Sequence, residues 1–164
     1  MKKSQIQQKV WDRDNLLPKI KSIPEGQKIV FTNGCFDIIH AGHIDYLEKA
    51  SQLGDFFIVA LNSDDSVKRL EKSPARPLQS EYSRMRVMAS FSFVDAVVIF
   101  NEDTPKEIIE IITPDILVKG GDYKIQDIVG YDWVTQHNGL VTTIPFLEGF
   151  STTAIEEKIL SSRN

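Results

Sequence analysis

The chain has 164 residues, enough for one domain with an ordinary core, and 41% hydrophobic with 26% charged residues argues against disorder. A net charge of −4 and a pI near 5.4 argue against the basic footprint of a nucleic-acid binder. No apolar run approaches the ~20 residues of a membrane span, the basic start Met1-Lys2-Lys3 leads into a polar amphipathic stretch, and a single Cys excludes an internal disulfide. The expectation is a cytoplasmic protein with neither nucleic acid nor membrane as partner.

Between residues 6 and 20, Ile6, Val10, Leu17 and Ile20 stand among charges, with Trp11 and Leu16 beside them. This predicts a short helix or a pair of turns, followed by a loop through Pro24-Glu25-Gly26. Residues 1–27 are read as a helical extension that packs on the domain or on a partner chain, and 28–164 as the domain proper. Ile29-Val30-Phe31 predicts a buried strand. The helix that follows from His43 is expected to bury Ile44, Leu47, Ala50 and Leu53 and to stop at Gly54. Further strands are predicted over 56–61, 96–100, 116–118 and 141–144. Helices are predicted over 82–91, from Pro105 with Thr104 as its cap, and over 132–137 before Asn138-Gly139. Strands buried on both faces and alternating with helices imply right-handed crossovers and a parallel sheet in a three-layer α/β domain.

In such sheets the ligand lies beyond the strand C-termini, at the switch in strand order. Thr32-Asn33, Asn62-Ser63-Asp64, Asn101-Glu102-Asp103 and Lys119-Gly120-Gly121-Asp122 each follow a strand at that edge. The most informative run, His40-Ala41-Gly42-His43, follows the small-residue loop after the first strand. It sets two imidazoles beside a helix N-terminus, where backbone N–H groups and the helix dipole favour an anion. A single His there is more often structural, and His-x-x-His is also a zinc pair. With three His, one Cys and only Asp37 and Asp45 nearby, a tetrahedral site is hard to complete, so the run reads as a cradle for a nucleoside triphosphate.

Residues 32 to 47, TNGCFDIIHAGHIDYL, resemble the signature of the HxGH nucleotidyltransferase superfamily. Within it the run is similar to the adenylyltransferase domain of bacterial ADP-heptose synthesis proteins. The likeness continues through Asn62-Ser63-Asp64, Arg76-Pro77, Lys119-Gly120-Gly121-Asp122-Tyr123 and Glu148-Gly149-Phe150-Ser151-Thr152-Thr153, over residues 28 to 160. The resemblance implies a Rossmann-like α/β/α fold with a five-stranded parallel sheet in the order 3-2-1-4-5. It implies in-line attack by a heptose 1-phosphate on the α-phosphorus of ATP, giving ADP-heptose and pyrophosphate, with Mg²⁺ accompanying ATP. A homodimer is expected, and so is a sugar kinase upstream, fused in many related proteins and separate here. The competing readings are a cytidylyltransferase for glycerol 3-phosphate or a similar ester, and a catalytically silent nucleotide-binding protein.

An ionised phosphate needs no general base, so positioning and electrostatic stabilisation should dominate such a transfer. The resemblance assigns His40, His43 and Lys72 to catalysis. It assigns Thr32, Asn33, Gly34, Phe36, Asp37, Gly42, Lys119, Gly120, Asp122, Ser151, Thr152 and Thr153 to the nucleotide, and Asn62, Asp64, Arg76 and Arg84 to the acceptor. No protein side chain is assigned as a metal ligand. Several roles stay open. Asp37 could orient the histidine loop, receive a magnesium-bound water, or satisfy backbone amides. Arg84 could be an anion anchor or a surface ion-pair member, Lys119 a ligand or a structural cation, and Thr153 with Glu156 a capping box. Lys68, Arg69 and Lys72 are placed in a charged loop, and Cys35 is read as packing. Related enzymes often carry a cation close to the Ser-Thr-Thr run and Lys-Gly before Arg-Pro; this chain has Glu148-Gly149-Phe150 and Glu71-Lys72-Ser73 there.

Overall fold

In the computed structural model, which describes residues 4–70 and 75–162, the apolar runs become strands and the stretches between them become helices. The chain starts with α1 (Gln5–Lys9), β1 (Val10–Trp11) and α2 (Leu16–Lys21). It continues through β2 (Ile29–Gly34), α3 (Ala41–Ser51), β3 (Phe56–Asn62), α4 (Asp64–Arg69), α5 (Glu81–Ser90) and β4 (Ala96–Phe100). The last part holds α6 (Lys106–Ile112), β5 (Ile116–Gly120), α7 (Tyr131–Gln136), β6 (Leu140–Ile144) and α8 (Thr152–Ser161). Serine hydroxyls open four of these helices: Ser4, Ser63, Ser80 and Ser151 each accept the backbone N–H three residues on.

All strands run parallel, in the order β1-β4-β3-β2-β5-β6. Register places Phe31 between Ile58 on β3 and Leu117 on β5. From there residues alternate between two cores. Phe31, Ile58, Ala60, Val98 and Leu117 pack with Ile108, Ile109 and Ile112 of α6 and Val134 of α7. Val30, Phe57, Val59, Leu61 and Val118 pack with Leu47 and Ala50 of α3 and Met88 and Ala89 of α5. Each fully buried Val, Leu, Ile or Phe contributes about 1.5–3 kcal/mol, and burial on both faces is why the strands read as unbroken apolar runs.

The three-layer class and the 3-2-1-4-5 order of the five longer strands are as expected, but the sheet has six strands. The extra one comes from the N-terminal segment: Val10 pairs with Val97 and Trp11 with Val98. Two residues carry no alternation to read, and the open edge of β4 decides the pairing. Trp11 stacks on Phe56 with centroids 5.5 Å apart, and Arg13 pairs with Glu102 and Glu107, holding the Glu102 carboxyl down at about 2.

Other expectations need local correction. Helix α3 starts at Ala41, with His40 as its N-cap, so its buried face is Tyr46, Leu47 and Ala50 while Ile44 and Leu53 stay exposed. Gly54 is required for space, since a Cβ there would lie 2.7 Å from Val30 Cγ2 and 2.8 Å from the Lys28 carbonyl. Lys68 and Arg69 lie on α4 and not in a loop. Pro105 stands at the N-cap of α6 without a side-chain capping bond. Ser151 caps α8, and Glu156 turns to Arg76, so the expected Thr153–Glu156 box does not form. Among the described residues, no helix is long and apolar enough to cross a membrane.

Candidate active site

Strand β2 ends at Gly34, and the loop it releases is shaped by Phe36. That residue has φ +48°, a left-handed conformation costly for a bulky side chain. Its ring folds back over Gly34, where a Cβ would lie 2.8 Å from Phe36 Cε2, and its edge meets His43 with centroids 5.4 Å apart. Asp37 then ties the loop to the chain beyond Pro77. Its carboxylate accepts the amides of Leu78 and Gln79, each at 2.8 Å, and its carbonyl accepts the Gln79 side-chain amide. Of the three roles left open for Asp37, the amide-satisfying one is realised.

A cavity of about 230 Å³ opens beyond the C-termini of β2 and β5. Asn33, Gly34, Cys35, Phe36 and Asp37 form one wall, and His43 and Tyr46 of α3 the next. Arg76, Lys119, Gly120, Tyr123, Phe146 and Thr152 complete it. Lys119 Nζ lies 6.0 Å from the Tyr123 ring centroid. A second cavity of about 220 Å³ shares Asn33, Gly34, Cys35 and Lys119 and extends to Asn62, Asp103, Thr104 and Pro105. The first cavity thus gathers Arg76, Lys119 and an imidazole around one carboxylate that is already spent on amides. The two cations stand where an anion entering the cavity would meet them.

His40 and His43 stack, with centroids 3.9 Å apart and planes at 26°. His43 lines the cavity; His40 backs it without lining it. The Nδ1 atom of each ring is buried with no hydrogen-bond partner, an exception that a protein interior rarely tolerates. Burial lowers the His40 pKa. Burial, then the neighbouring His40, push His43 down to about 4, with the Ile38 backbone opposing the shift. Gly42 permits the close stack: a Cβ there would sit 3.1 Å from the His40 ring and from Phe150 Cβ.

Other expected site residues lie outside the first cavity. Thr32 is buried, its hydroxyl bonded to the Tyr46 hydroxyl, which also donates to the Val118 carbonyl. Asn62 donates to Ser66 Oγ at 2.9 Å and accepts from the Cys35 thiol at 3.7 Å. Arg84 is 1% exposed, which corrects its reading as a surface ion-pair member. It bonds Asp64 Oδ1 and the Cys35 carbonyl, each at 2.8 Å, and the Gln79 carbonyl at 3.1 Å. Asp64 and Arg84 therefore brace the loop that carries Cys35, while Asn62 lines the second cavity. Asp122 and Thr153 are exposed outside the cavity, and Ser151 caps α8. Lys72 lies outside the described residues. Cys35, expected as packing, lines both cavities.

The residues missed from sequence are Tyr46 and Phe146, with Tyr123 unassigned. Tyr46 had a signal, standing one turn after His43 on the same helix face. Phe146 arrives from the loop after β6 and covers Gly120, where a Cβ would lie 2.6 Å from its ring; local sequence does not announce such a contact.

The cytidylyltransferase-like family profile matches residues 31–158, which span this site from β2 to α8. The chain belongs to that family. It is 55% identical over 154 residues to the bifunctional protein HldE of Campylobacter jejuni subsp. doylei, covering 94% of this chain and 32% of that protein. It is also 55% identical over 145 residues to HldE of Marinomonas sp., covering 88% and 30%. The chain thus spans about a third of the length of the curated relatives it matches. Among solved structures, the lipopolysaccharide core biosynthesis protein of Thermoplasma volcanium aligns with a TM-score of 0.62 at 26% identity, over 74% of this chain and 98% of that one. Pantoate-beta-alanine ligase of Francisella tularensis, solved with beta-gamma ATP and beta-alanine, aligns with a TM-score of 0.59 at 15% identity over 90% and 75%, a likeness of fold alone.

Proposed function

We propose that the chain transfers an adenylyl group from ATP to a heptose 1-phosphate, giving ADP-heptose and pyrophosphate. The observation that carries this is the cavity where His43, Lys119, Arg76 and Thr152 converge beside a carboxylate with both oxygens engaged. The high identity to HldE over nearly the whole chain supports the choice of adenylyl transfer within the family.

In this reading the sugar phosphate, already an anion, attacks the α-phosphorus in line while the bond to the pyrophosphate oxygen breaks. The barrier is electrostatic, and the site answers it with donors fixed before the substrates arrive. His43, neutral at pH 7 in the free protein, gains proton affinity beside the triphosphate and donates where charge grows on the α-phosphoryl oxygens. His40 holds the ring by stacking. Lys119 and Arg76 bring the anions together, Tyr123 and Phe146 offer flat faces to the base, and Thr152 a hydroxyl to the outer phosphates. The second cavity, reached past Asn33 and Cys35, takes the sugar.

Among the described residues, no group of three or more His, Cys, Asp and Glu side chains could hold a metal ion, and each Asp37 carboxylate oxygen accepts a backbone amide. Magnesium enters this reading as part of the Mg·ATP substrate, held by phosphates and water. A sugar kinase upstream, a homodimer and a cytoplasmic location belong to the same proposal.

The test is pyrophosphate release with ATP or CTP, each paired with heptose 1-phosphates and with glycerol 3-phosphate. Turnover with ATP and a heptose 1-phosphate alone is the expected result. Turnover restricted to CTP and glycerol 3-phosphate would transfer the assignment to the other reaction suggested by the family's name. ATP binding without release for any acceptor would mean a silent binding protein.

A further inference from the structure

The run from Glu148 to Thr153 contains no Lys or Arg, yet it leads into the helix whose Thr152 lines the cavity. The structure brings a cation there from elsewhere. Arg76 lines the same cavity, and its Nη2 donates to Glu156 Oε1 at 2.8 Å across 80 residues of sequence. The pair is sheltered, with side chains 16% and 31% exposed. Glu156 stands one turn beyond Thr152, on the same face of α8. Helix α8 has no buried residue, so packing alone does not fix its place at the cavity. A guanidinium carries five N–H donors in a rigid fork, so a bond at Nη2 sets its plane without exhausting it.

We propose that Glu156 is a positioning residue for ATP: it holds the Arg76 guanidinium beside Thr152, where that cation meets the outer phosphates, and thereby couples α8 to nucleotide binding. The proposal rests on the adenylyl-transfer reading and adds to it the source of the cation and the group that aims it. Glu156 touches no reacting atom and acts through Arg76. Its effect should appear in affinity and in KM for ATP, with kcat little changed.

The test is a double-mutant cycle on the whole chain, with the dissociation constant of a non-hydrolysable ATP analogue measured by calorimetry. Arg76→Ala should weaken binding about tenfold or more, the usual worth of a hydrogen bond to a charged group. Glu156→Ala should weaken it about threefold to tenfold, the size of coupling between residues in contact. Glu156→Gln, which keeps an acceptor, should recover most of that loss. In the Arg76→Ala background, Glu156→Ala should change the constant by less than about twofold. Glu156 lies on a helix that buries nothing, so its variants should fold as wild type. A Glu156→Ala chain that binds as wild type, or one that loses affinity equally in both backgrounds, overturns this inference and leaves adenylyl transfer standing. A wild-type chain that binds no ATP overturns both.

Discussion

His40 presses its ring against His43 at 3.9 Å while both Nδ1 atoms stay buried and unpartnered, so the free protein disfavours a proton on either ring. The consequence is a defined pH response. The unfolded chain protonates His43 near 6.5 and the folded chain only near 4. Between those values the unfolded state binds more protons, so folding loses stability as the pH falls through that interval. Urea unfolding at a series of pH values should show the decline below about 6.5, and His43→Gln should remove most of it. ATP should reverse the preference, because the phosphates favour the imidazolium. Binding near pH 6 should therefore take up protons, measured as a dependence of calorimetric enthalpy on buffer ionisation enthalpy.

Arg84 is the charged side chain whose loss should most damage the fold. It joins α5 to Asp64 and to the Cys35 carbonyl while almost fully buried. Arg84→Ala leaves the part-buried Cys35 carbonyl and the Asp64 carboxylate without their partner, and should cost about 1–3 kcal/mol in urea unfolding. An anion anchor would behave differently, raising KM while leaving stability near wild type.

Gly34 should tolerate no side chain. In Gly34→Ala the new methyl would fall 2.8 Å from the Phe36 ring, whose backbone is already left-handed. Overpacking of this kind costs about 1–3 kcal/mol. Because Phe36 also edges His43, the variant should lose kcat as well as stability. Combining it with Phe36→Leu should restore stability more than activity.

The parallel sheet was legible because its strands are apolar on both faces and end in polar, glycine-containing loops. The position of the site followed from that, since Asn33, His43, Lys119 and Thr152 all lie where the strands open. What stayed hidden depends on partners distant in the chain. The pairing of Val10–Trp11 depends on the free edge of β4, and two residues carry no period. Arg84 shares the inner face of α5 with Met88, but an arginine there has no evident partner until Asp64 and the Cys35 carbonyl are brought to it. Asp37 and Asp122 look alike as loop carboxylates, yet one meets two amides and the other meets solvent. Phe146 shapes the cavity from a loop with no regular pattern.

The most direct measurement is the kcat for pyrophosphate release by His43→Ala, set beside its affinity for ATP. If His43 stabilises the charge that develops during transfer, kcat should fall by about 10²–10³ while the ATP dissociation constant moves only a few-fold. A variant that keeps the wild-type kcat, or loses only ATP affinity, would contradict that role.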